Sequence, residues 1–213
     1  MKDLGERLGS EIAAGLPGTD VQWEMASSDR FIRGFPKTPR ADSASAAVLI
    51  LLYPRNKKIY TLFIQRPDYD GVHGGQISFP GGKRETGDTD LTYTALREAS
   101  EETGIVPSQV EITGILTPLY IPVSNIVVTP VVGWTHRRPK FKPDGKEVVF
   151  IIEAPLSSFL DESIVKIKPF GVRGEMINIR YYDFKGHVIW GATAMMLHEL
   201  LVILRRSNLS AEV

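Results

Sequence analysis

Residues 97–105 read Arg97-Glu98-Ala99-Ser100-Glu101-Glu102-Thr103-Gly104-Ile105, after the turn-rich stretch Gly81-Gly82-Lys83-Arg84-Glu85-Thr86-Gly87-Asp88. This spacing predicts a helix from about Asp90 to Thr103. Asp88, Thr89 and Asp90 are all N-cap residue types, and Gly104 stands where a C-terminal cap belongs. On such a helix Glu98, Glu101 and Glu102 fall at i, i+3 and i+4, so the three carboxylates share one face. Leu96, Ala99 and Thr103 point away from that face and can pack on a sheet. Like charges on one stripe repel by roughly a few tenths of a kcal/mol per pair, and a divalent cation would reverse that sign. A solvated acidic helix face contains the same residues. The context argues against it, because a Gly-Gly turn precedes the helix, an Arg precedes the first Glu, and a Gly-Ile pair closes the run.

On both sides the texture is mixed. Ala46–Tyr53 is apolar throughout, Ile59–Gln65 is rich in β-formers, and Pro54–Lys58 between them makes a hairpin. Asp68–Gly82 carries five glycines, with Pro67 and Pro80 nearby, around a short strand at Gln76–Phe79. Strand-like runs follow at Val110–Leu116, Ile126–Trp134 and Glu147–Glu153. Leu4, Leu8 and Ile12 predict a short amphipathic helix ending near Gly15–Pro17. Pro36, Pro39 and the small-residue run Ala41–Ala47 read as a connecting loop. The last helix, Gly191–Arg206, ends in Arg205 and Arg206, favourable for its dipole. The sum is one α/β sandwich.

Composition narrows the function from the other side. The chain has 213 residues and no cysteine, which excludes thiol redox chemistry, Cys-ligated zinc and a disulfide framework. Lys plus Arg (25) equals Asp plus Glu (25), so nothing electrostatic argues for a nucleic-acid partner. Charged residues interrupt Met1–Gly18, unlike a secretory signal. The longest apolar stretch, Ala46–Tyr53, is far short of the roughly 20 residues that span a bilayer. The expectation is a cytoplasmic protein with no membrane partner.

The Arg97–Ile105 segment resembles the second half of the Nudix box, Gly-x5-Glu-x7-Arg-Glu-U-x-Glu-Glu-x-Gly-U, where U is bulky and aliphatic. Arg97, Glu98, Glu101, Glu102, Gly104 and Ile105 match it, with Ala99 at the first U. In the first half, Gly82-x5 leads to Asp88 instead of Glu, and the next spacer is one residue longer. The resemblance implies an α/β/α sandwich with a mixed central sheet, spanning about residues 44–206. It leaves 1–43 as an N-terminal helix and connecting segment and 207–213 as a tail. It also implies hydrolysis of a phosphoanhydride with Mg²⁺ or Mn²⁺, which suit hard carboxylate oxygens. Glu98 and Glu102 are the first-choice ligands, and Glu101 is a third ligand or the water-activating base. The Gly81 carbonyl faces the metal, and Arg97 orients a carboxylate. Glu147 is the distant Glu that such enzymes bring in from a loop, with an ordinary strand-edge Glu as the alternative. Nudix relatives are often dimers, so a homodimer is among the expectations.

Further segments look like the coenzyme A diphosphatase subfamily. They include Leu62–Arg66, His73–Gly82, Thr94–Glu98, Thr129–Gly133, Glu147-Val148 and Trp190–Ala194. That resemblance implies cleavage of CoA or acyl-CoA to 3′,5′-ADP and a 4′-phosphopantetheine. Arg66, Gly75 and Gly82 are the expected binding positions. The subfamily usually has an Arg two residues before the His, where this chain has Gly71; Arg66, Lys83 or Arg84 would then meet a phosphate. ADP-ribose or another nucleoside diphosphate derivative is the rival substrate. A non-catalytic nucleotide-binding module is the rival of another class. His73, His198, Tyr120, Trp190, Met195–Met196 and the basic run Arg137, Arg138, Lys140 and Lys142 each have a plain structural reading beside a functional one.

Overall fold

A computed structural model describes residues 4–68, 74–172 and 174–213. β1 (Ala44–Arg55) organises it. Its apolar run is buried on both faces, as a central strand requires. Leu49, Leu51 and Tyr53 enter one core with Ala95 and Ala99, while Ile50 and Leu52 enter another with Leu4, Leu8 and Leu200. β2 (Lys58–Gln65) returns antiparallel through Asn56 and Lys57, both at positive φ (50° and 60°). That backbone twist suits a two-residue hairpin.

The two strands pair only between Leu52–Arg55 and Lys58–Thr61. Beyond that they splay, and the gap is filled by β3 (Ile77–Ser78) on β2 and β4 (Gly81–Lys83) on β1. The handover falls at Pro80, whose carbonyl accepts the Leu49 N–H at 2.9 Å. Gly81 is required here: its φ is 154°, and a Cβ would stand 2.3 Å from the Ala47 carbonyl oxygen. This wedge delivers the Gly81-Gly82 backbone to α4 (Leu91–Thr103).

β5 (Glu111–Ile115) and β6 (Leu119–Ile121) pair antiparallel with β7 (Ile126–Trp134), which runs parallel to β1; β8 (Phe150–Pro155) pairs with β2. Among the described residues this makes an eight-stranded mixed sheet. α4 covers one face, and α1 (Leu4–Ala14) and α5 (Gly191–Arg206) cover the other, which is the expected α/β/α sandwich. No helix among the described residues is long and apolar enough to cross a membrane.

Three features depart from the sequence reading. The strand expected from Glu147 begins at Phe150, because the Asp144 carboxylate collects the backbone N–H groups of Lys146, Glu147 and Val148 and holds them as a turn. Between the first helix and β1 stand two short helices, α2 (Thr19–Trp23) and α3 (Ser28–Ile32). A second antiparallel sheet of β9 (Val165–Val172), β10 (Glu175–Phe184) and β11 (His187–Trp190) leads into α5. The N-terminal helices are bound into the core: Glu199 of α5 is fully buried and accepts from Gly18 N–H, Gln22 Nε2, Thr117 N–H and the Thr117 hydroxyl. At the other terminus Leu209 and Val213 are buried in the same core.

Candidate active site

α4 starts and stops where its residues dictate. The Asp90 side chain accepts the Tyr93 N–H at 2.7 Å, and Gly104 at φ 71° closes the helix onto the Ser100 carbonyl. Its inner stripe, Ala95, Ala99 and Thr103, is buried against β1. The three carboxylates therefore share a face but not an environment. Glu102 borders the buried stripe with 3% of its side chain exposed, Glu98 is largely covered, and Glu101 is 61% exposed.

Glu102 reaches the wedge. Its Oε2 accepts the Gly81 N–H at 2.8 Å, and its Oε1 lies 3.3 Å from Arg66 Nη2. The same Nη2 donates to the Gly81 carbonyl at 2.9 Å, so one guanidinium nitrogen bridges two oxygens expected to face a metal. Burial pushes the Glu102 carboxyl up to about 7; Arg66 and the Gly81 N–H oppose that, while Glu98 and Glu147 add to it. Burial also raises Glu98, against the pull of Arg97.

Gly82 sits directly against Glu98, where any Cβ would lie 2.4–2.5 Å from its carboxylate atoms. A side chain at position 82 would push that carboxylate from its place. With Glu98, Glu102 and the Gly81 carbonyl, the donors are all hard oxygens and fit a divalent cation that prefers such ligands. Glu101 is turned instead towards Arg97 Nη1 at 3.0 Å, so the described residues bring no three acidic or imidazole groups together as a ready cage.

Arg97 ties the assembly. Its Nε and Nη2 grip Asp88 in a fork at 2.9 and 3.0 Å, and its Nη1 lies 3.0 Å from Glu98 and from Glu101. Asp88 also accepts the Glu85 N–H and the Thr94 hydroxyl, both at 2.9 Å. These partners hold its carboxyl well below the usual carboxylate range, the Arg97 bond contributing most. The acidic residue at the altered position of the box is thus a strut for the arginine.

Glu147 lies in the loop before β8 and interacts electrostatically with both Glu98 and Glu102. The loop is fastened to the end of α4: Lys142 N–H bonds the Thr103 carbonyl at 2.8 Å, and Asp144 N–H bonds the Glu102 carbonyl at 3.3 Å. Asp144 is a residue the sequence reading passed over. An Asp three residues before the loop Glu is the turn signal that was available.

Gly75, at φ 67°, gives its N–H to Pro67 and its carbonyl to Gln65 Nε2, so both polar groups serve a turn. Arg84 is spent on the Asp88 and Thr89 carbonyls. Gly71 and His73 lie outside the described residues. His198 is bracketed by Tyr182 and Glu24, and Arg138 clasps Glu153 with two bonds of 2.7 Å. Tyr120, Met195 and Met196 are buried.

A cavity of about 400 Å³ opens beside Arg66, Gly81, Gly82 and Lys83. Val48, Ile121, Ile126, Ile177 and Trp190 give it an apolar wall. α3 adds Ser27, which precedes it, together with Asp29, Arg30 and Arg33. Nothing in the sequence between Gly18 and Ala44 had suggested a part in the site.

The NUDIX domain family matches residues 44–184. The peroxisomal coenzyme A diphosphatase NUDT7 of Mus musculus is 35% identical over 168 residues, covering 76% of this chain and 71% of that protein. The uncharacterized Nudix hydrolase NudL of Photorhabdus laumondii is 34% identical over 165 residues, covering 78% of this chain and 87% of its own. Among solved structures, the Nudix hydrolase RenU of M. smegmatis superposes with a TM-score of 0.51 at 15% identity, covering 80% of this chain and 88% of that one. A MutT/nudix protein of Enterococcus faecalis gives 0.51 at 14% identity, covering 88% and 73%. The two structures speak to the fold alone.

Proposed function

The chain belongs to the Nudix hydrolase family, and from that premise we propose that it cleaves the diphosphate of coenzyme A or an acyl-CoA, releasing 3′,5′-ADP and a 4′-phosphopantetheine. The coarser statement, a Nudix hydrolase of nucleoside diphosphate derivatives, follows from the family and its hydrolase relatives. The observation that carries the finer one is the cavity. It begins at Gly81-Gly82 beside the carboxylates and continues along a largely apolar wall, which suits a long arm better than a second compact polar sugar. The likeness to a protein named as a coenzyme A diphosphatase supports the same reading.

Nudix hydrolases generally use divalent metals. Glu98, Glu102 and the Gly81 carbonyl would hold the ion, Mg²⁺ or Mn²⁺ by the hardness of the donors. A divalent ion held there would supply neutralisation of diphosphate charge and a lowered pKa for the attacking water. Arg97 fixes Glu98 and Glu101 from behind. Arg66 balances Glu102 and lines the cavity where the phosphates enter. Glu147, held by Asp144 beside the two buried carboxylates, takes the proton from water. The residues assigned here all belong to one chain, and neither nucleic acid nor a membrane enters the proposal.

Incubation with CoA and Mg²⁺, followed by product identification, tests the reading. Release of 3′,5′-ADP is expected. No turnover of CoA alongside good turnover of ADP-ribose would overturn it.

A further inference from the structure

The α3 wall of the cavity carries a cation that the fold compensates only in part. Arg30 is 8% exposed, yet among the described residues its guanidinium has one hydrogen bond, a long 3.4 Å contact to the Tyr120 carbonyl. It also lies over the Trp23 ring at 5.5 Å, a favourable contact that satisfies none of its N–H groups. Five N–H donors are available on a guanidinium. The neighbouring Asp29 acts on it through space, but the Asp29 carboxylate accepts the Ser27 hydroxyl. Arg33, one turn on, is committed to Glu175 of β10. Burial lowers the pKa of Arg30 accordingly. Buried charges in proteins are normally paired and hydrogen-bonded, because an uncompensated one is costly.

A second group in the same cavity is also unsatisfied. Ser124, four residues after the Tyr120 whose carbonyl Arg30 touches, sits in the turn between β6 and β7 and lines the same cavity as Arg30. Its Oγ is buried with no hydrogen-bond partner among the described residues. A planar guanidinium fork and a hydroxyl donor are what a phosphate monoester accepts from. A phosphate monoester brings three strong acceptor oxygens to such a pair.

We propose that Arg30 and Ser124 form a phosphomonoester subsite in the cavity, separate from the carboxylates that serve the scissile diphosphate. This rests on the coenzyme A reading only for the identity of the group, which is then the 3′-phosphate of the nucleotide. It assigns the segment before residue 44, outside the family match, to substrate selection. It also supplies a phosphate partner in a chain where Gly71 replaces the usual Arg.

The test begins with the unmodified protein. Calorimetric titration with 3′,5′-ADP and with 5′-AMP should show the former binding about tenfold more tightly or better, the scale of a charge-assisted hydrogen bond. Equal affinities overturn the subsite without any variant. Arg30→Met, checked for folding by thermal denaturation, should bring the two affinities within about threefold of each other; Ser124→Ala should close part of the gap. A folded Arg30→Met protein that keeps the full preference also overturns it. Turnover of CoA against 3′-dephospho-CoA separates the two claims. If neither is cleaved but the 3′,5′-ADP preference holds and depends on Arg30, the substrate reading fails and the subsite stands. If CoA is cleaved but 5′-AMP binds equally well, the reverse holds.

Discussion

Two arginine–carboxylate pairs flank α4, and they are built to opposite standards. Arg97 and Asp88 meet in a two-bond fork, and Asp88 Oδ2 also accepts the Glu85 N–H and the Thr94 hydroxyl. The result is a carboxyl held firmly as an anion. Arg66 and Glu102 meet through one 3.3 Å contact, and burial outweighs it enough to push the Glu102 carboxyl up to about 7. Both pairs are covered, so exposure does not separate them; the degree of satisfaction does. A fully bonded ion pair is a strut. An under-compensated buried carboxylate, next to a glycine cleared of any side chain, favours an arriving cation. Arg30 is the same contrast with the sign of the charge reversed.

The largest expected effect breaks the functional side. Glu102→Gln should lower kcat by about 10³-fold under saturating Mg²⁺, the scale of losing several kcal/mol of charge stabilisation in a metal-assisted step. Its melting temperature should stay within roughly 2 °C of the unmodified protein, because an amide costs less to bury than an uncompensated charge. A binding module without catalysis would instead keep its nucleotide affinity and have no turnover to lose. Steady-state kinetics and a melting curve on the same preparation decide the matter.

Asp88→Asn should invert that pattern. It leaves Arg97 facing an amide that cannot accept its fork, so the melting temperature is expected to fall by roughly 5–10 °C while kcat falls far less than in Glu102→Gln. The pH dependence carries the sign. The folded pKa of Asp88 is depressed, so its stabilisation is present above the unfolded value near 3.8 and is lost as pH falls towards the folded one. The difference in melting temperature between the two proteins should be constant from pH 8 to about 5 and shrink below about pH 4. A gap that stays open at pH 3 would mean that Asp88 works through shape alone.

The helix was legible in the sequence because its determinants are local: Asp90, Ala99, Thr103 and Gly104 sit at fixed offsets, and the offsets dictate cap, stripe and stop. The strut was not, since Arg97 was expected to orient a glutamate and Asp88 was read as a cap candidate and as the altered position of the box. The difference between Glu101 and Glu102 was not legible, since adjacent residues at i+3 and i+4 differ in burial only once β4 is placed beside the helix. Arg66 and Gly81 meet Glu102 because β1 and β2 splay, a consequence of strand pairing that no short window contains. α2 and α3 escaped for a related reason. Segments of five residues carry too little periodicity, and Arg30 meets the Tyr120 carbonyl across 90 positions of chain. The loop before β8 was half legible: Glu147 was picked out, but its flanking residues were taken for strand because the turn-forming role of Asp144 was missed.

That loop gives the smallest and most discriminating effect. Asp144 Oδ1 accepts from Lys146, Glu147 and Val148 at 3.0–3.2 Å, while Oδ2 adds one contact to Glu147. Asn keeps the first oxygen and Ala keeps neither. If Asp144 works by placing Glu147, Asp144→Ala should lower kcat about 10–30-fold with KM little changed, and Asp144→Asn should recover most of the loss. The coupling between the two residues is the sharper measure. Once Glu147→Gln has removed the base, adding Asp144→Ala should cost almost nothing further, since a misplaced group that no longer accepts a proton cannot be misplaced to any effect. Independent losses that multiply in the double variant would show that the Asp144 carboxylate acts other than through Glu147, and would move this loop to the strut side of the comparison.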